Sequence, residues 1–442
     1  MNITMTGNKK LAPTIKKIKD NMREILSFMF VPSFDNSIIL YHLPLILQQA
    51  CVIIVMYRRA SMMIYFDNAA TTLIKPDTVK QAVQDAMERF GNPGRSFHAP
   101  SMAAARAVYA AREELARLVG LDDPLNVSFT SSATESLNLV TDAILDEGDY
   151  ILTAAASHNS VLRPLYRKKC VVTAAESQDE LISLLNSGPK AVIISHGSNV
   201  TGDLDDVTIL YKACRERGII LVLDAAQTLG GFPVTADMAD TICFTGHKSL
   251  FGPQGTGGIM MTRRPEIPLK VHKTGGTGSL SFEKLQHDRM PELFEAGTLN
   301  SHGLNGLAAG ASFVRELGVD TIHKREMALT DIFIEGVKDL PGVMIYGDFD
   351  RISQKYAARL PIVSINIADM DSGELAENLW NDYNIAVRPG IHCAPLIHKT
   401  LGTESRGTAR FSFSWFNTED EILAGVEAIR AYALREQERH GG

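Results

Sequence analysis

The sequence predicts an α/β protein whose larger part is built on a mainly parallel sheet, followed by a smaller α+β part. Apolar blocks typical of buried strands alternate with blocks of helical spacing from Met63 to about residue 320. Beyond that point the regular alternation ends, although helices and strands continue. The 442 residues, 45% apolar and 21% charged, have ordinary globular composition and allow two or three domains.

Charge and cysteine content narrow the class of protein. The formal charge of −7 does not indicate a nucleic-acid surface, so no nucleic-acid partner is expected. The cysteines are far apart and form no CxxC pair, so neither a metal site nor a disulfide framework is predicted. They are Cys51, Cys170, Cys214, Cys243 and Cys393. Such sparse usage is typical of a reducing cytoplasm, which is the predicted location.

Residues 1–62 differ from the rest of the chain. A basic stretch precedes an apolar run at 37–57, which at about 20 residues could span a membrane. A proline, a histidine and two glutamines inside the run are costly in lipid, and no small-residue cleavage site closes it. Three interpretations stay open. The preferred one is a translated upstream extension with the real start at Met62 or Met63, ahead of a native peripheral segment and a membrane anchor.

Periodicity and caps predict the individual elements in the first part of the chain. Strands are predicted at 64–67, 126–130, 191–195, 219–223, 241–245 and 258–261. Helices are predicted at 76–90, 101–118 and 208–217, and at the segment that carries Leu137, Val140 and Ile144. Gly218 is a good signal for the end of the helix at 208–217.

A Gly-, Thr- and Ser-rich break at 270–289 is long enough to be a functional or mobile loop. After it, helices are predicted at 320–339, 372–383 and 418–436, and strands near 343–346 and 361–367. The predicted organisation is therefore an extension at 1–62, a large domain at 63–320 and a small domain at 321–442. The first residues of the large domain are expected to contribute to the small one as well.

Asp224 and Lys248 follow two apolar strands of the predicted sheet. Carboxyl ends of parallel strands are where such sheets place ligand groups, although a cap or turn role is the alternative for Asp224. Pyridoxal phosphate needs a lysine for a Schiff base and an acid to pair with its pyridinium nitrogen. The two residues together supply both groups.

The segment at 130–135, TSSATE, lies between a predicted strand and a predicted helix. Free backbone N–H groups and the helix dipole would hold a phosphate there. Hydroxyls of Ser131, Ser132 and Thr134 could add donors, as could Thr245 and His247. An ordinary Ser/Thr helix cap is the alternative interpretation.

Other polar residues follow the same strand ends. His158 could stack on a planar ring and shuttle protons, although a lone histidine is often structural. Asn199 and Gln227 could donate hydrogen bonds to a phenolic ring oxygen.

Cys393 lies in the loop RPGIHCAP, whereas a structural cysteine would normally lie on a strand or helix. His392 and Arg388 beside it would favour the reactive thiolate. Arg410, on an alternating strand, could clamp a substrate carboxylate or could be a surface charge. The other four cysteines have apolar or helical surroundings typical of packing residues.

Nine segments together resemble the class V aminotransferase family of fold-type I pyridoxal-phosphate enzymes and, within it, the cysteine desulfurases. The resemblance covers about residues 63–436, and the segments stand in the family order: YFDNAATT, FTSSATESLNL, SHNSVLRPL, SNVTG, LDAAQ, TGHKSLFGPQGTGG, FEAGTLN, RPGIHCAP and GTARFSFSWFNTEDEI. The resemblance implies a fold-type I PLP-dependent transferase with a seven-stranded sheet and a small C-terminal domain that carries the cysteine loop.

The resemblance also implies a role for each matching residue. The cofactor contacts would be Lys248 as Schiff-base lysine, Asp224 at the ring nitrogen, His158 stacked on the ring, Gln227 and Asn199 near the phenolic oxygen, and Ala133, Thr134, Thr245 and His247 at the phosphate. Thr298 would reach the phosphate of a neighbouring subunit, which implies a homodimer. Arg410 would bind the substrate carboxylate, with Asn68, His98 and Arg388 as further predicted substrate-binding residues.

The activity implied is conversion of L-cysteine to L-alanine, with the sulfur passing to Cys393 as a persulfide and then to an acceptor protein, as in iron–sulfur cluster assembly. A selenocysteine lyase, or another class V enzyme acting on a small amino acid, is the alternative. A protein that keeps the fold without catalysis is disfavoured by the intact residue set. The subgroup stays open, because the Cys393 spacing is closer to the Suf-type branch and the phosphate segment to the Nif-type branch. Ser132 replaces a glycine common in the latter.

Overall fold

A computed structural model describes residues 63–94, 96–278, 281–348 and 359–440. All expectations for residues 1–62, including those for Cys51 and the apolar run, lie outside these residues. In the described ranges, no helix combines the length and apolar character that crossing a bilayer requires.

Helices and strands alternate through most of this part of the chain. The helices are α1 (Asp77–Arg89), α2 (Ala99–Val119), α3 (Ala133–Ile144), α4 (Asn159–Arg167), α5 (Gln178–Leu184), α6 (Val207–Glu216), α7 (Ser301–Leu317), α8 (Val319–Val337), α9 (Ser372–Tyr383), α10 (Pro395–Leu401) and α11 (Glu419–His440). The strands are β1 (Ile64–Tyr65), β2 (Val127–Thr130), β3 (Tyr150–Ala154), β4 (Val171–Ala175), β5 (Ala191–Ser195), β6 (Ile220–Asp224), β7 (Thr241–Thr245), β8 (Gly257–Met261), β9 (Val343–Tyr346), β10 (Ile362–Ile367), β11 (Ile385–Ala386) and β12 (Ala409–Ser412). Short 3₁₀ helices occur at Pro124–Asn126, Leu185–Ser187 and Ala236–Met238.

The described residues form two compact units of very different size. The larger unit holds residues 65–376 and 386–440 and contains every site residue discussed below. The smaller unit holds residues 63–64 and Glu377–Ile385, where the Ile64 N–H donates to the Asn384 carbonyl at 3.0 Å. The division of the chain into two domains near residue 320 stays a prediction.

A seven-stranded sheet in the order β2-β8-β7-β6-β5-β3-β4 forms the centre of the larger unit. Neighbours from β7 to β4 pair in parallel, and β8 runs antiparallel to both β7 and β2. All residues of β5, β6 and β7 are buried, as expected for parallel strands covered on both faces. The predicted mainly parallel sheet is therefore confirmed, and the carboxyl ends of β3, β5, β6 and β7 meet at one edge.

A separate three-stranded antiparallel sheet, in the order β12-β10-β9, follows in the C-terminal part. Its central strand β10 is completely buried, and its register places Ser364 opposite Arg410. This sheet, packed with α8 and α11, is the α+β arrangement that the sequence predicts after residue 320.

Helix α7 is absent from the sequence prediction because Gly303, Gly306 and Gly310 interrupt its helical pattern and lower its helix propensity. The structure shows why these glycines are needed. A Cβ on Gly306 would lie 2.9 Å from the Pro253 side chain, and one on Gly310 would lie 3.2 Å from the backbone nitrogen of Gly252. The helix can therefore approach the loop that follows Lys248.

A buried ion pair joins distant parts of the large sheet region. Arg112 Nη2 lies 2.7 Å from Glu295 Oε2, and the two side chains are 6% and 10% exposed. The other carboxylate oxygen of Glu295 accepts the N–H of Phe129 in β2 at 2.6 Å. Glu295 therefore connects α2, the strand that leads to the TSSATE segment and the segment that contains Thr298.

Glu295→Ala is expected to lower the free energy of unfolding by about 3–5 kcal/mol, because the Arg112 guanidinium would stay buried without its partner. Denaturant unfolding followed by circular dichroism measures this loss. Glu295→Gln is the matched control, since the amide keeps the shape and one acceptor oxygen, and its loss should be smaller. Unfolding of Glu295→Ala at the wild-type denaturant concentration would contradict this account.

Candidate active site

A cleft with an empty volume of about 500 Å³ opens at the carboxyl edge of the parallel strands. Its walls carry ten of the residues predicted from sequence. Those ten are Ser132, Ala133, Thr134, His158, Asn199, Asp224, Gln227, Thr245, His247 and Lys248. Ser160, Ser195, Gly197 and Ala226 complete the lining. The strand ends therefore bring together residues that are as much as 116 positions apart, from Ser132 to Lys248.

Asp224 ends strand β6 and is 5% exposed. Its Oδ2 accepts from the Ser195 hydroxyl at 3.1 Å, and its Oδ1 accepts from the Ala226 N–H at 3.0 Å. Burial raises the pKa of the carboxyl group, while the Ala226 N–H, Lys248 and Ser195 oppose the rise. A buried carboxylate held by neutral donors can take a further cationic partner, such as a protonated ring nitrogen.

Lys248 lies just beyond the end of β7 and faces the same cleft. Burial lowers the pKa of its amine to about 8, and the charge of Arg410 adds to that shift. The nearby Asp224 carboxylate acts in the opposite direction. The unprotonated amine, which a nucleophile or base requires, is therefore the minor form at pH 7 but far more populated than in an ordinary lysine.

The peptide before Lys248 is fixed by the YFDNAATT segment. The His247 carbonyl lies within hydrogen-bond distance of the Thr71 hydroxyl at 3.2 Å, the Thr72 hydroxyl at 3.1 Å and Lys75 Nζ at 2.9 Å. The Thr72 hydroxyl also lies 3.1 Å from the Lys248 carbonyl oxygen. No role for Thr71, Thr72 or the nearby Lys75 is predicted from sequence, because a contact across more than 170 residues leaves no local pattern.

His158 caps helix α4 with its ring. Its Nδ1 accepts the Ser160 N–H at 3.1 Å, so the proton of the neutral ring is assigned to Nε2. Burial lowers the pKa of His158 to about 4, with Lys248 and Arg388 contributing, and the ring is neutral at pH 7. The Ser160 hydroxyl lies 2.9 Å from Nδ1 and 2.7 Å from the Thr134 hydroxyl. Ser160 was not predicted, although it lies in the SHNSVLRPL segment.

Helix α3 presents its N-terminus to the cleft through Ala133 and Thr134. Ser132 is its cap and accepts the Glu135 N–H at 3.3 Å, so the cap interpretation holds for that residue. The Ser131 hydroxyl donates to Glu135 at 2.7 Å and does not line the cleft, contrary to its predicted role as a ligand donor. A Cβ on Gly257 would lie 2.7 Å from the Ser132 Cα, so a glycine is needed where β8 passes this segment.

Cys393 is exposed, and the guanidinium of Arg388 lies 3.9 Å from its sulfur. The prediction that His392 also supplies positive charge is wrong. Burial lowers the pKa of His392 to about 2, and its Nε2 lies 3.0 Å from the Thr408 carbonyl oxygen. Arg388 is therefore the cation beside the thiol in this pair of predicted neighbours.

The other cysteines in the described ranges have surroundings that agree with packing. Cys214 and Cys243 are buried, and Cys170 is partly buried. Burial raises the pKa of Cys214 to about 12 and that of Cys243 well above its usual value. Neither buried thiol supplies a thiolate at neutral pH.

Arg410 is fully buried, so the surface-charge interpretation is wrong. Its Nη2 donates to Asp67 Oδ1 at 3.0 Å and its Nη1 to the Asn199 carbonyl at 2.9 Å. Burial lowers the pKa of the guanidinium to about 10, and it stays charged at pH 7. Its Nε is buried and has no partner among the described residues, so this N–H is available to a carboxylate. The substrate role itself stays a prediction.

Three further predicted residues lie away from the cleft lining. The Asn68 amide donates to the Ser412 carbonyl at 2.9 Å and to Asn417 Oδ1 at 3.1 Å. His98 is exposed and caps α2 by accepting the Ser101 N–H at 3.3 Å. Thr298 is exposed. Their roles toward substrate and a neighbouring subunit stay predictions.

The cleft fits pyridoxal phosphate by the chemistry of its donors. Asn199 Oδ1 and His247 Nδ1 are buried and have no hydrogen-bond partner among the residues described. Such orphaned atoms require an explanation, and a polar ligand in the cleft supplies one. A lysine amine, a buried carboxylate and a helix N-terminus in one cleft correspond to the aldehyde, ring nitrogen and phosphate of this cofactor.

Comparisons with known proteins agree with this geometry. Residues 64–424 match the sequence model of the aminotransferase class-V family. A probable cysteine desulfurase of Pyrococcus abyssi is 34% identical over 379 residues, which cover 81% of this chain and 91% of that protein. The cysteine desulfurase IscS of Vibrio vulnificus is 31% identical, with coverages of 83% and 92%. The apo structure of a cysteine desulfurase from Thermococcus onnurineus superimposes with a TM-score of 0.75 at 30% identity, covering 84% of this chain and 94% of that one.

Proposed function

Because the chain belongs to the aminotransferase class-V family and, within it, to the cysteine desulfurases, we propose that its cleft binds pyridoxal phosphate and that Cys393 receives the substrate sulfur. The enzyme converts L-cysteine to L-alanine and transfers the sulfur. The observation that carries the site assignment is the convergence of Lys248, Asp224 and His158 on one cleft. The same chain exposes Cys393 to solvent.

Each group in the cleft would hold one part of the cofactor. Lys248 would bind its aldehyde carbon, Asp224 its ring nitrogen and the N-terminus of α3 its phosphate. When bound, pyridoxal phosphate supplies an electron sink for the substrate Cα. Asp224 would keep a proton on the ring nitrogen, because the carboxylate is buried beside neutral donors. The Lys248 amine, with its pKa near 8, would remove the Cα proton and return it.

Sulfur transfer is assigned to Cys393. Its thiolate attacks the sulfur of L-cysteine, and a sulfur–sulfur bond forms as the carbon–sulfur bond breaks. The electron pair of the broken bond stays on the substrate carbon, which takes up a proton and becomes the methyl group of L-alanine. The transferred sulfur becomes the outer atom of the Cys393 persulfide. The Arg388 guanidinium, 3.9 Å from the sulfur, would stabilise the attacking thiolate.

We further propose a homodimer, a cytoplasmic location and a sulfur-acceptor protein. The exposed positions of Thr298 and His98, outside the cleft of their own chain, support a neighbouring subunit that they could reach. The exposed Cys393 sulfur supports hand-over to an acceptor. L-selenocysteine is the alternative substrate, and iron–sulfur cluster assembly is one pathway for the sulfur.

Incubation of the purified chain with L-cysteine, pyridoxal phosphate and a thiol reductant tests the proposed function. We expect L-alanine and sulfide in equal amounts over many turnovers. A parallel reaction with L-selenocysteine tests the alternative substrate. A chain that shows the absorption band of bound cofactor but releases alanine only from L-selenocysteine would contradict the assignment to cysteine.

A further inference from the structure

Two consecutive residues of the cysteine loop have left-handed backbone conformations. The φ angle is +50° at His392 and +59° at Cys393. Residues with a side chain rarely adopt this conformation, and it persists only where surrounding contacts hold it. The contacts that hold these two residues therefore determine where the Cys393 sulfur lies.

Each of the two residues has its carbonyl oxygen held by a donor from the edge of the large sheet. Asn199 Nδ2 donates to the His392 carbonyl at 2.6 Å. The backbone N–H of Asn159 donates to the Cys393 carbonyl at 2.7 Å. Asn199 lines the cofactor cleft, and Asn159 opens helix α4 directly after His158. One donor thus belongs to the cleft wall itself, and the other directly follows His158, which also lines the cleft.

The opposite side of the loop is anchored to strand β12 and the residue before it. Gly390 and Thr408 exchange two backbone hydrogen bonds, each of 3.1 Å. The ring Nε2 of His392 lies 3.0 Å from the Thr408 carbonyl oxygen. The loop is therefore fixed from two directions, and the contacts to Asn159 and Asn199 are the ones that connect it to the cleft.

The orientation of the Asn199 amide follows from its surroundings. Its NH₂ group faces the His392 carbonyl, and a reversed amide would place two acceptor oxygens against each other. The NH₂ group has a second hydrogen, and Oδ1 is buried without a partner within the described residues. One side chain can therefore contact the cofactor and the cysteine loop at the same time.

We propose that the Asn199 side chain and the Asn159 N–H are positioning groups for the sulfur-transfer step. They hold the left-handed His392–Cys393 pair against the cleft, so that the thiol is already positioned for attack on the substrate sulfur and the loop does not have to move. This inference deepens the proposed function and rests on it.

The pair Asn159→Pro and Asn159→Ala tests the contact to Cys393. Proline is tolerated at the first position of a helix, and the φ of −69° and ψ of 156° at His158 suit a residue before proline. Asn159→Pro therefore removes the N–H donor, whereas Asn159→Ala keeps it. We expect kcat with L-cysteine to be about 10- to 100-fold lower for the proline variant than for the alanine variant, because a displaced nucleophile reacts slowly. KM and the cofactor absorption band should be similar in both.

Amide hydrogen exchange supplies a readout that does not depend on turnover. The peptide covering residues 388–395 should exchange faster in Asn159→Pro than in Asn159→Ala. Equal kcat and equal exchange in the two variants would overturn the proposal. If the proline variant does not fold, hydrogen exchange of the same peptide in Asn199→Ala tests whether the cleft donors hold the loop. Faster exchange of the loop peptide supports the role, and wild-type exchange overturns it. Absence of alanine production by the wild-type chain would refute the proposed function instead, and hydrogen exchange would still decide whether the two donors hold the loop.

Discussion

Lys248→Ala is expected to lose the visible absorption band of lysine-linked pyridoxal phosphate and to turn over L-cysteine on the order of 10²–10⁴-fold more slowly. The amine is the nucleophile that would bind the cofactor aldehyde, and it is also the base with a pKa near 8 in the cleft. Absorbance of the purified variant after incubation with cofactor, together with alanine release, measures both losses.

Lys338→Ala is the matched control, because it removes a lysine from the surface just after α8 that pairs only with Glu335 among the ion pairs described. This variant should keep the band and the turnover. An unchanged spectrum in Lys248→Ala would contradict the assignment of this residue as the lysine that binds the cofactor.

Cys393→Ser is expected to keep the cofactor band but to stop sulfur transfer from L-cysteine. The serine hydroxyl fits the same loop, yet it cannot form the sulfur–sulfur bond that carries the transferred atom. Cys170→Ser is the matched control, since Cys170 is the other described cysteine with a partly exposed side chain. Alanine release under reducing conditions compares the variants, and full turnover in Cys393→Ser would overturn the mechanism.

Much of the site could be predicted because buried parallel strands appear in the sequence as short continuous apolar runs. Apolar runs at 191–195 and 241–245 were predicted with the bounds of β5 and β7. Polar residues directly after such runs must meet at one edge of the sheet, which places Asp224 and Lys248 in one cleft. The positions of Asp224 and Lys248 after two apolar runs are therefore sufficient to predict that they share a cleft.

Features that depend on tertiary contacts could not be predicted in this way. Burial keeps His392 uncharged, whereas the Gly- and Pro-rich sequence around it is typical of an exposed loop. The contacts of Thr72 with the backbone of His247 and Lys248 join segments about 175 residues apart. Helix α7 is not predicted because its glycines weaken the local helical pattern. The same glycines are needed for packing against the loop that follows Lys248, which is a tertiary contact.

Mass spectrometry of the cysteine-containing peptides shows directly whether Cys393 receives the substrate sulfur. The wild-type chain, loaded with pyridoxal phosphate, is treated with one equivalent of L-cysteine without reductant and is then alkylated and digested. We expect one added sulfur atom on Cys393 and an equal amount of L-alanine. Release of L-alanine with Cys393 unmodified, or with the added sulfur on Cys170 instead, would contradict it.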